Sequence, residues 1–187
     1  QASYGGFASL FYSWMKPRTR FLLTLQEGDP FERYAKRAGP FHFLHKRIFR
    51  RADQIQVISK FLGDWAVMMG SESKPIVIPN GVDISRFLYR EPRLSERVKV
   101  IAVSRLSHKN GIDLLIRAVP NLPANVHVTL VGDGEDRAML ETLVRDLGIE
   151  NRITFVGNRP NDEVPSLLQD ADISVRASRS EGQGISF

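Results

Sequence analysis

Short runs of leucine and β-branched residues alternate along the chain with stretches in which apolar residues recur every three or four positions. That alternation is the signature of a parallel sheet covered by helices, an α/β fold. In the first half, Phe21-Leu22-Leu23-Thr24-Leu25 reads as a buried strand stopped by Gly28-Asp29-Pro30. Phe41, Leu44 and Ile48 fall at helical spacing behind Pro40, a residue suited to a helix start. Ile55-Gln56-Val57-Ile58 is a second strand, Ser59 an N-cap for a helix through Met69, and Gly70 its stop. Ile76-Val77-Ile78 is a third strand, closed by the turn Pro79-Asn80-Gly81.

From Phe87 to Arg97 the pattern lapses into Arg, Glu, Pro and Ser, and a linker is placed at residues 91–97. It separates a lobe over residues 1–90 from one over residues 98–187. The second lobe restarts with the strand Val98–Val103 and the helical set Ile112, Leu115, Ile116 and Val119. The strand 126–131 and the helical set Leu140, Leu143, Val144 and Leu147 follow, with Gly148 as terminator. Strand 153–156, a short helix from Asn161 to Gln169 and strand 173–175 complete the pattern, ahead of the glycine-broken loop Ser178 to Gly184.

Composition narrows the function classes. The 187 residues contain no cysteine, which excludes a disulfide framework, a thiolate nucleophile and a Cys-rich zinc site. No apolar run approaches the roughly 18 residues of a membrane span. The chain opens at Gln1 without a charged-then-apolar leader, and it is read as an internal piece of a longer protein. The net charge of +5 is concentrated at Lys16, Arg18 and Arg20 and in the run His45-Lys46-Arg47-Ile48-Phe49-Arg50-Arg51. Such a surplus suits nucleic acid, anionic lipid or an anionic small substrate, or is a solvated basic surface.

Ligands of open parallel sheets collect at the carboxyl ends of the strands. Three strand-end loops carry chemistry there. Ser104 to Gly111 places Arg105 and Lys109 four residues apart just before a helix N-terminus, a cradle for an anion or an ordinary basic loop. Gly132-Asp133-Gly134-Glu135-Asp136-Arg137 approaches a dinucleotide fingerprint but ends in Arg, so a helix start capped by Asp136 is preferred. Glu181-Gly182-Gln183-Gly184 offers close backbone approach and one carboxylate for sugar hydroxyls. His42 and His45 have no carboxylate or cysteine to complete a metal set and read as surface or core residues. His108 is a phosphate donor or simply exposed, and Glu27 and Asp29 read as loop caps ahead of a general base.

In combination these segments resemble family 4 glycosyltransferases of the GT-B architecture. Ala52-Asp53-Gln54-Ile55-Gln56-Val57-Ile58-Ser59, the run Ile78-Pro79-Asn80-Gly81-Val82-Asp83 with Phe87, and Ser104 to Leu115 are similar to successive family motifs. So are Val131-Gly132-Asp133-Gly134, Arg152 to Gly157, and Ala171-Asp172-Ile173 leading to Ser180 through Gly184. The resemblance implies two Rossmann-like parallel-sheet lobes, each incomplete here: the rear of an N-terminal acceptor-side lobe and the front of a C-terminal nucleotide-sugar lobe. It implies transfer of a sugar from a nucleotide diphosphate sugar with retention of configuration, no cofactor and no obligatory metal. Arg105 and Lys109 would hold the diphosphate and stabilise the leaving group, and Glu181 would contact the donor sugar. Ser104, Gly157, Asn158, Gly182, Gln183, Gly184 and Ile185 would line the donor site.

The family's paired glutamate would fall at position 189, beyond Phe187; Gln183 replaces a common aromatic, and Ser104 a common glycine. The fragment alone is therefore expected to be inactive. The expected partners are the donor and a lipid-linked or saccharide acceptor, and no nucleic acid. An anionic membrane surface is a further expected partner, reached through Lys46, Arg47, Arg50 and Arg51 with Phe41 and Phe49, and the expected location is cytoplasmic, peripheral to the membrane. The alternative is a nucleotide- or polyanion-binding module without catalysis, suggested by the basic run at 45–51.

Overall fold

The computed structural model describes residues 4–26, 42–88, 91 and 96–180. These divide into two compact units, the first ending at Val82 and the second running from Asp83 to Arg179. Each has its own parallel sheet.

The first unit contains helix α1 (Tyr4–Met15), strand β1 (Leu22–Leu25), helix α2 (His42–Arg51), strand β2 (Gln54–Val57), helix α3 (Lys60–Met68) and strand β3 (Ile76–Val77). The strands pair in the order β1-β2-β3, with Leu23 opposite Ile55 and Gln56 opposite Ile76. Alternate strand residues Leu23, Leu25, Ile55 and Val57 meet Ile48 and Phe49 of α2, Leu62 and Trp65 of α3, and Leu10 of α1. Phe49 and Trp65 make an edge-to-face contact at 5.3 Å between ring centroids, the geometry that ring quadrupoles prefer. Ser59 caps α3 by accepting from the Leu62 amide, as its spacing suggested. Asp53 ties the entry to β1 to the α2–β2 corner: its Oδ2 accepts from the Phe21 amide at 2.6 Å and from Arg51. The Phe21 bond, aided by Arg51, holds this carboxyl below its ordinary range.

Three features of this unit were not evident in the pattern. Helix α1, with Gly5 and Gly6 and no charged residue, lacks a clean helical period; it is anchored by Leu10 in the core and by Phe7 packed against it. His45 is buried and stacks on Phe7 at 5.6 Å, with Phe49 on its other side, so it is a core histidine. Phe49 is fully buried and therefore does not belong to the apolar surface expected beside the basic run. Glu27, Asp29 and Phe41, and the side chain of His42, lie outside the described residues.

The second unit opens with a single turn over Ile84–Arg86, capped by Asp83, whose Oδ1 accepts from the Ser85 amide and hydroxyl. Then follow strand β4 (Val98–Val103), a 3-10 turn (His108–Asn110), helix α4 (Ile112–Ala118), strand β5 (Val126–Val131), helix α5 (Arg137–Asp146), strand β6 (Ile153–Gly157), helix α6 (Val164–Gln169) and strand β7 (Ile173–Ser174). The parallel order is β6-β5-β4-β7, so the chain starts in an interior strand and builds outward on both sides. Val100 lies opposite both Val128 and Ile173. Asp172 pins the edge strand with two bonds to Lys99, one from the Lys99 amide to its carboxylate and one from its own amide to the Lys99 carbonyl, each 2.8 Å. The core joins Val100, Val128 and Leu130 of the sheet to Ile112 and Ile116 of α4 and Leu140 and Val144 of α5.

At the carboxyl ends of β4, β5 and β6 the backbone itself is packed. Gly132 adopts φ +130; its amide donates to the Gly157 carbonyl at 2.8 Å, and Ser104 donates to the Val131 carbonyl at 3.0 Å. A Cβ at Gly132 would lie 2.0 Å from the Ser104 carbonyl oxygen, a backbone atom that cannot swing aside. Gly132→Ala is accordingly expected to lower the stability of the second unit by about 1–3 kcal/mol, through a φ that side chains resist and through overpacking. In urea unfolding of the chain, the Gly81→Ala control, which meets nothing within 4 Å, is expected to be neutral or slightly stabilising.

Candidate functional site

A cleft of about 580 Å³ opens at the carboxyl ends of β4 and β5 in the second unit. Its walls are residues 103–105 after β4, residues 131–134 after β5, and Asn158, Arg159, Asn161 and Val164 between β6 and α6. The three loops are held in register by the backbone. Besides the Gly132–Gly157 and Ser104–Val131 bonds, the Leu106 amide donates to the Asp133 carbonyl at 3.0 Å, and Asp136 returns a bond to the Leu106 carbonyl at 3.1 Å. Leu106 itself is buried in the core, 1% exposed, and anchors the loop that carries Arg105.

The charges around the cleft are arranged asymmetrically. Asp133 is engaged twice: Oδ1 accepts from the Gly134 amide at 2.8 Å and Oδ2 from Arg137 at 3.2 Å. Arg137 also donates to Glu141 at 2.9 Å and lies over the Phe155 ring. The Glu141 bond foremost, with Asp133 contributing, raises the Arg137 pKa above its already high ordinary value. Asp136 was expected to cap α5 with its side chain, and it makes no such bond. Its amide instead donates to the Leu106 carbonyl, and the turn into α5 is closed by the backbone bond from the Arg137 amide to the Gly134 carbonyl. Arg159 faces Glu163 at 3.8 Å, a loose contact. Among the described residues no carboxylate is paired with Arg105, whose carbonyl accepts from the Asn110 side chain. With Asp133 neutralised by Arg137, Arg105 leaves the cleft receptive to an anion.

Of the residues singled out from the sequence, Ser104, Arg105 and Asn158 line this cleft together. Gly157 forms its backbone edge through the bond to Gly132. Lys109 sits on the neighbouring 3-10 turn and is not among the lining residues; its carbonyl accepts from the Arg179 amide at 2.8 Å. Glu181, Gly182, Gln183, Gly184 and Ile185 lie outside the described residues. Arg159 and Asn161 were not foreseen as wall residues, because nothing in their spacing marks which side of the β6–α6 loop faces the sheet end.

A pairing that no local spacing could reveal joins Arg179 to Asp113, 66 residues away. The guanidinium grips both carboxylate oxygens at 2.7 Å, and its Nη1 also donates to the His108 carbonyl at 2.8 Å. The Arg179 hydrogen bond holds the Asp113 carboxyl below its ordinary 3.8. A depressed carboxylate contributes its stabilisation in full above that value and loses it as pH falls through the lowered one. The pair is therefore intact throughout the neutral range.

Similarity to known proteins accords with this geometry. The family model for glycosyl transferases group 1 matches residues 87–187. A GDP-mannose-dependent alpha-(1-6)-phosphatidylinositol monomannoside mannosyltransferase of Mycobacterium tuberculosis is 29% identical over 75% of this chain and 40% of its own. An uncharacterised glycosyltransferase of Methanocaldococcus jannaschii, MJ1607, is 30% identical over 71% of this chain and 38% of its own. The chain thus spans about two-fifths of the length of these relatives. Among solved structures, Anabaena HepE in complex with UDP superposes with a TM-score of 0.77 at 23% identity, over 92% of this chain and 50% of that one. Sucrose-phosphate synthase of Thermosynechococcus elongatus gives 0.76 at 21% identity, over 96% and 50%. These neighbours carry the GT-B architecture of parallel-sheet lobes expected from the motifs. With the family model matching more than half of its residues, the chain belongs to the group 1 glycosyl transferases.

Proposed function

We propose that the complete protein transfers a sugar from a nucleoside diphosphate sugar to an acceptor hydroxyl with retention of configuration, and that the second unit binds the donor. The observation that carries this reading is the convergence of Ser104, Arg105 and Asn158 on one cleft at the strand ends. In the reaction the bond between the anomeric carbon and the diphosphate oxygen breaks, and its electron pair stays on the departing diphosphate. The acceptor oxygen forms the new bond to the anomeric carbon, and its proton passes to the departing diphosphate. Negative charge grows on the leaving group, and a fixed guanidinium already aimed there stabilises the transition state more than the ground state. Arg105 has that role, and Lys109 on the adjoining turn shares it once donor is bound. Asn158 and the backbone after Gly157 face the nucleoside, and Glu181 with residues 182–185 receives the sugar. No cofactor takes part.

A catalytically silent nucleotide- or polyanion-binding module is not favoured, since the similar proteins are named for glycosyl transfer. In the complete protein, Arg105→Ala or Lys109→Ala is expected to cut turnover at least about a hundredfold, the loss of one well-aimed donor, with the thermal unfolding midpoint unchanged. Turnover within a few-fold of normal would remove that residue from the leaving-group role.

A second reading concerns the acceptor side. Among the described residues no helix is long and apolar enough to cross a membrane. The first unit nevertheless exposes Phe11, Trp14 and Met15 on α1 and Phe43 on α2, beside the basic residues Lys16, Arg18, Arg47 and Arg50, all of them exposed. Amphipathic aromatic and basic surfaces of this kind bind anionic bilayers. We propose a peripheral, cytoplasmic-face contact through these residues and a lipid-linked or saccharide acceptor. Sedimentation with phosphatidylglycerol vesicles at low salt is expected to carry the protein down, and phosphatidylcholine vesicles are expected to leave it in solution. No sedimentation with either ends the membrane reading.

A further inference from the structure

We infer that Asp113 and Arg179 are positioning residues, a clamp that holds the turn carrying Lys109 against residues 177–179. This rests on the sugar-transfer reading above and deepens it, since neither residue touches the cleft.

Four contacts converge on a few residues. Arg179 grips Asp113 through both carboxylate oxygens, donates to the His108 carbonyl from its side chain, and donates to the Lys109 carbonyl from its own amide. Two residues before each partner, Gly111 turns at φ +65 so close beneath Ala177 that a Cβ there would lie 2.0 Å from the Ala177 carbonyl oxygen. Residues 177–179 therefore pass directly over the 108–113 corner, held by side chain and backbone together.

The chemistry of the pair suits a fixed joint. A guanidinium and a carboxylate meeting fork to fork lock both distance and plane, whereas a lysine would supply only a point charge. Asp113 lies in the first turn of α4, where a carboxylate is also favoured by the unpaired amides of the helix start. The side chains are partly exposed, 28% and 20%, so the pair acts through its fixed two-point geometry more than through the strength of its charges.

The consequence is positional. The Lys109 carbonyl accepts from the Arg179 amide, so the bonds made by Arg179 bear directly on the turn that carries Lys109. The clamp thus fixes the backbone turn from which Lys109, proposed to share the diphosphate, projects. A displacement of about 1 Å at such a site costs roughly a hundredfold in rate.

The test uses the complete protein, with Asp113→Asn and Arg179→Gln made singly and together, and Arg179→Lys as a variant that keeps the charge without the fork. Each is assayed for kcat and for the KM of donor and acceptor well below its unfolding midpoint. Amide exchange at Arg179 is followed in parallel. The clamp predicts that each single neutral variant loses roughly 10–100-fold in kcat, and that the double variant loses no more than the worse single one. It further predicts an unmoved acceptor KM, a partial recovery in Arg179→Lys, and faster exchange of the Arg179 amide. Folded variants with kcat within twofold of the wild type, or losses that multiply in the double variant, overturn the clamp alone. A wild-type protein that transfers sugar from no nucleoside diphosphate sugar overturns the functional reading and the clamp with it.

Discussion

The close approach of backbone to backbone at the sheet's carboxyl edge is the constraint on which the second unit depends. Peptide groups from the ends of β4, β5 and β6 hydrogen-bond directly to one another, and Gly132 leaves no side chain to hold them apart. A site assembled this way draws its rigidity from the sheet, because each loop begins at a residue already fixed in the ladder. Side chains such as Arg105 inherit that rigidity at little cost in conformational entropy beyond their own rotamers.

Charge is then distributed so that it can be used. The acid nearest the cleft, Asp133, is occupied by its own loop amide and by Arg137, and Arg137 is in turn held by Glu141 and Phe155. Across the adjoining turn, Asp113 is consumed by Arg179. Asp133 and Asp113 are thus satisfied internally, although both lie close to the basic loop that carries Arg105. The same economy appears at Asp53, where a carboxylate takes up the amide that opens β1.

The order of elements was readable because hydrophobic period and burial obey the same geometry. The run Val98–Val103 became an interior strand, and Ile112, Leu115 and Ile116 became the buried face of α4. Ser59 and the glycines at 70 and 148 marked helix ends through local chemistry alone. Ile76–Val77 is a shorter strand than its sequence run, with both residues about half exposed; an edge strand ends where its neighbour β2 does. Helix α1 escaped notice because its stability comes from Leu10 and Phe7 packing on a core formed elsewhere in the chain. Phe49 and Arg47 share one amphipathic run, yet the first is wholly buried and the second exposed; only packing against Trp65 decides between them.

By itself the sequence determined the α/β class, the strand and helix order, and the candidates Ser104, Arg105 and Asn158, since each follows from local spacing or from motif resemblance. Tertiary structure alone decided which residues meet. It brought Asn158 and Arg159 to the wall facing Arg105, neutralised Asp133, and joined Arg179 to Asp113 across 66 residues. The reason lies in the strand order β6-β5-β4-β7: a chain that adds strands on both sides of its first one makes neighbours of segments whose separation along the sequence holds no trace of the encounter.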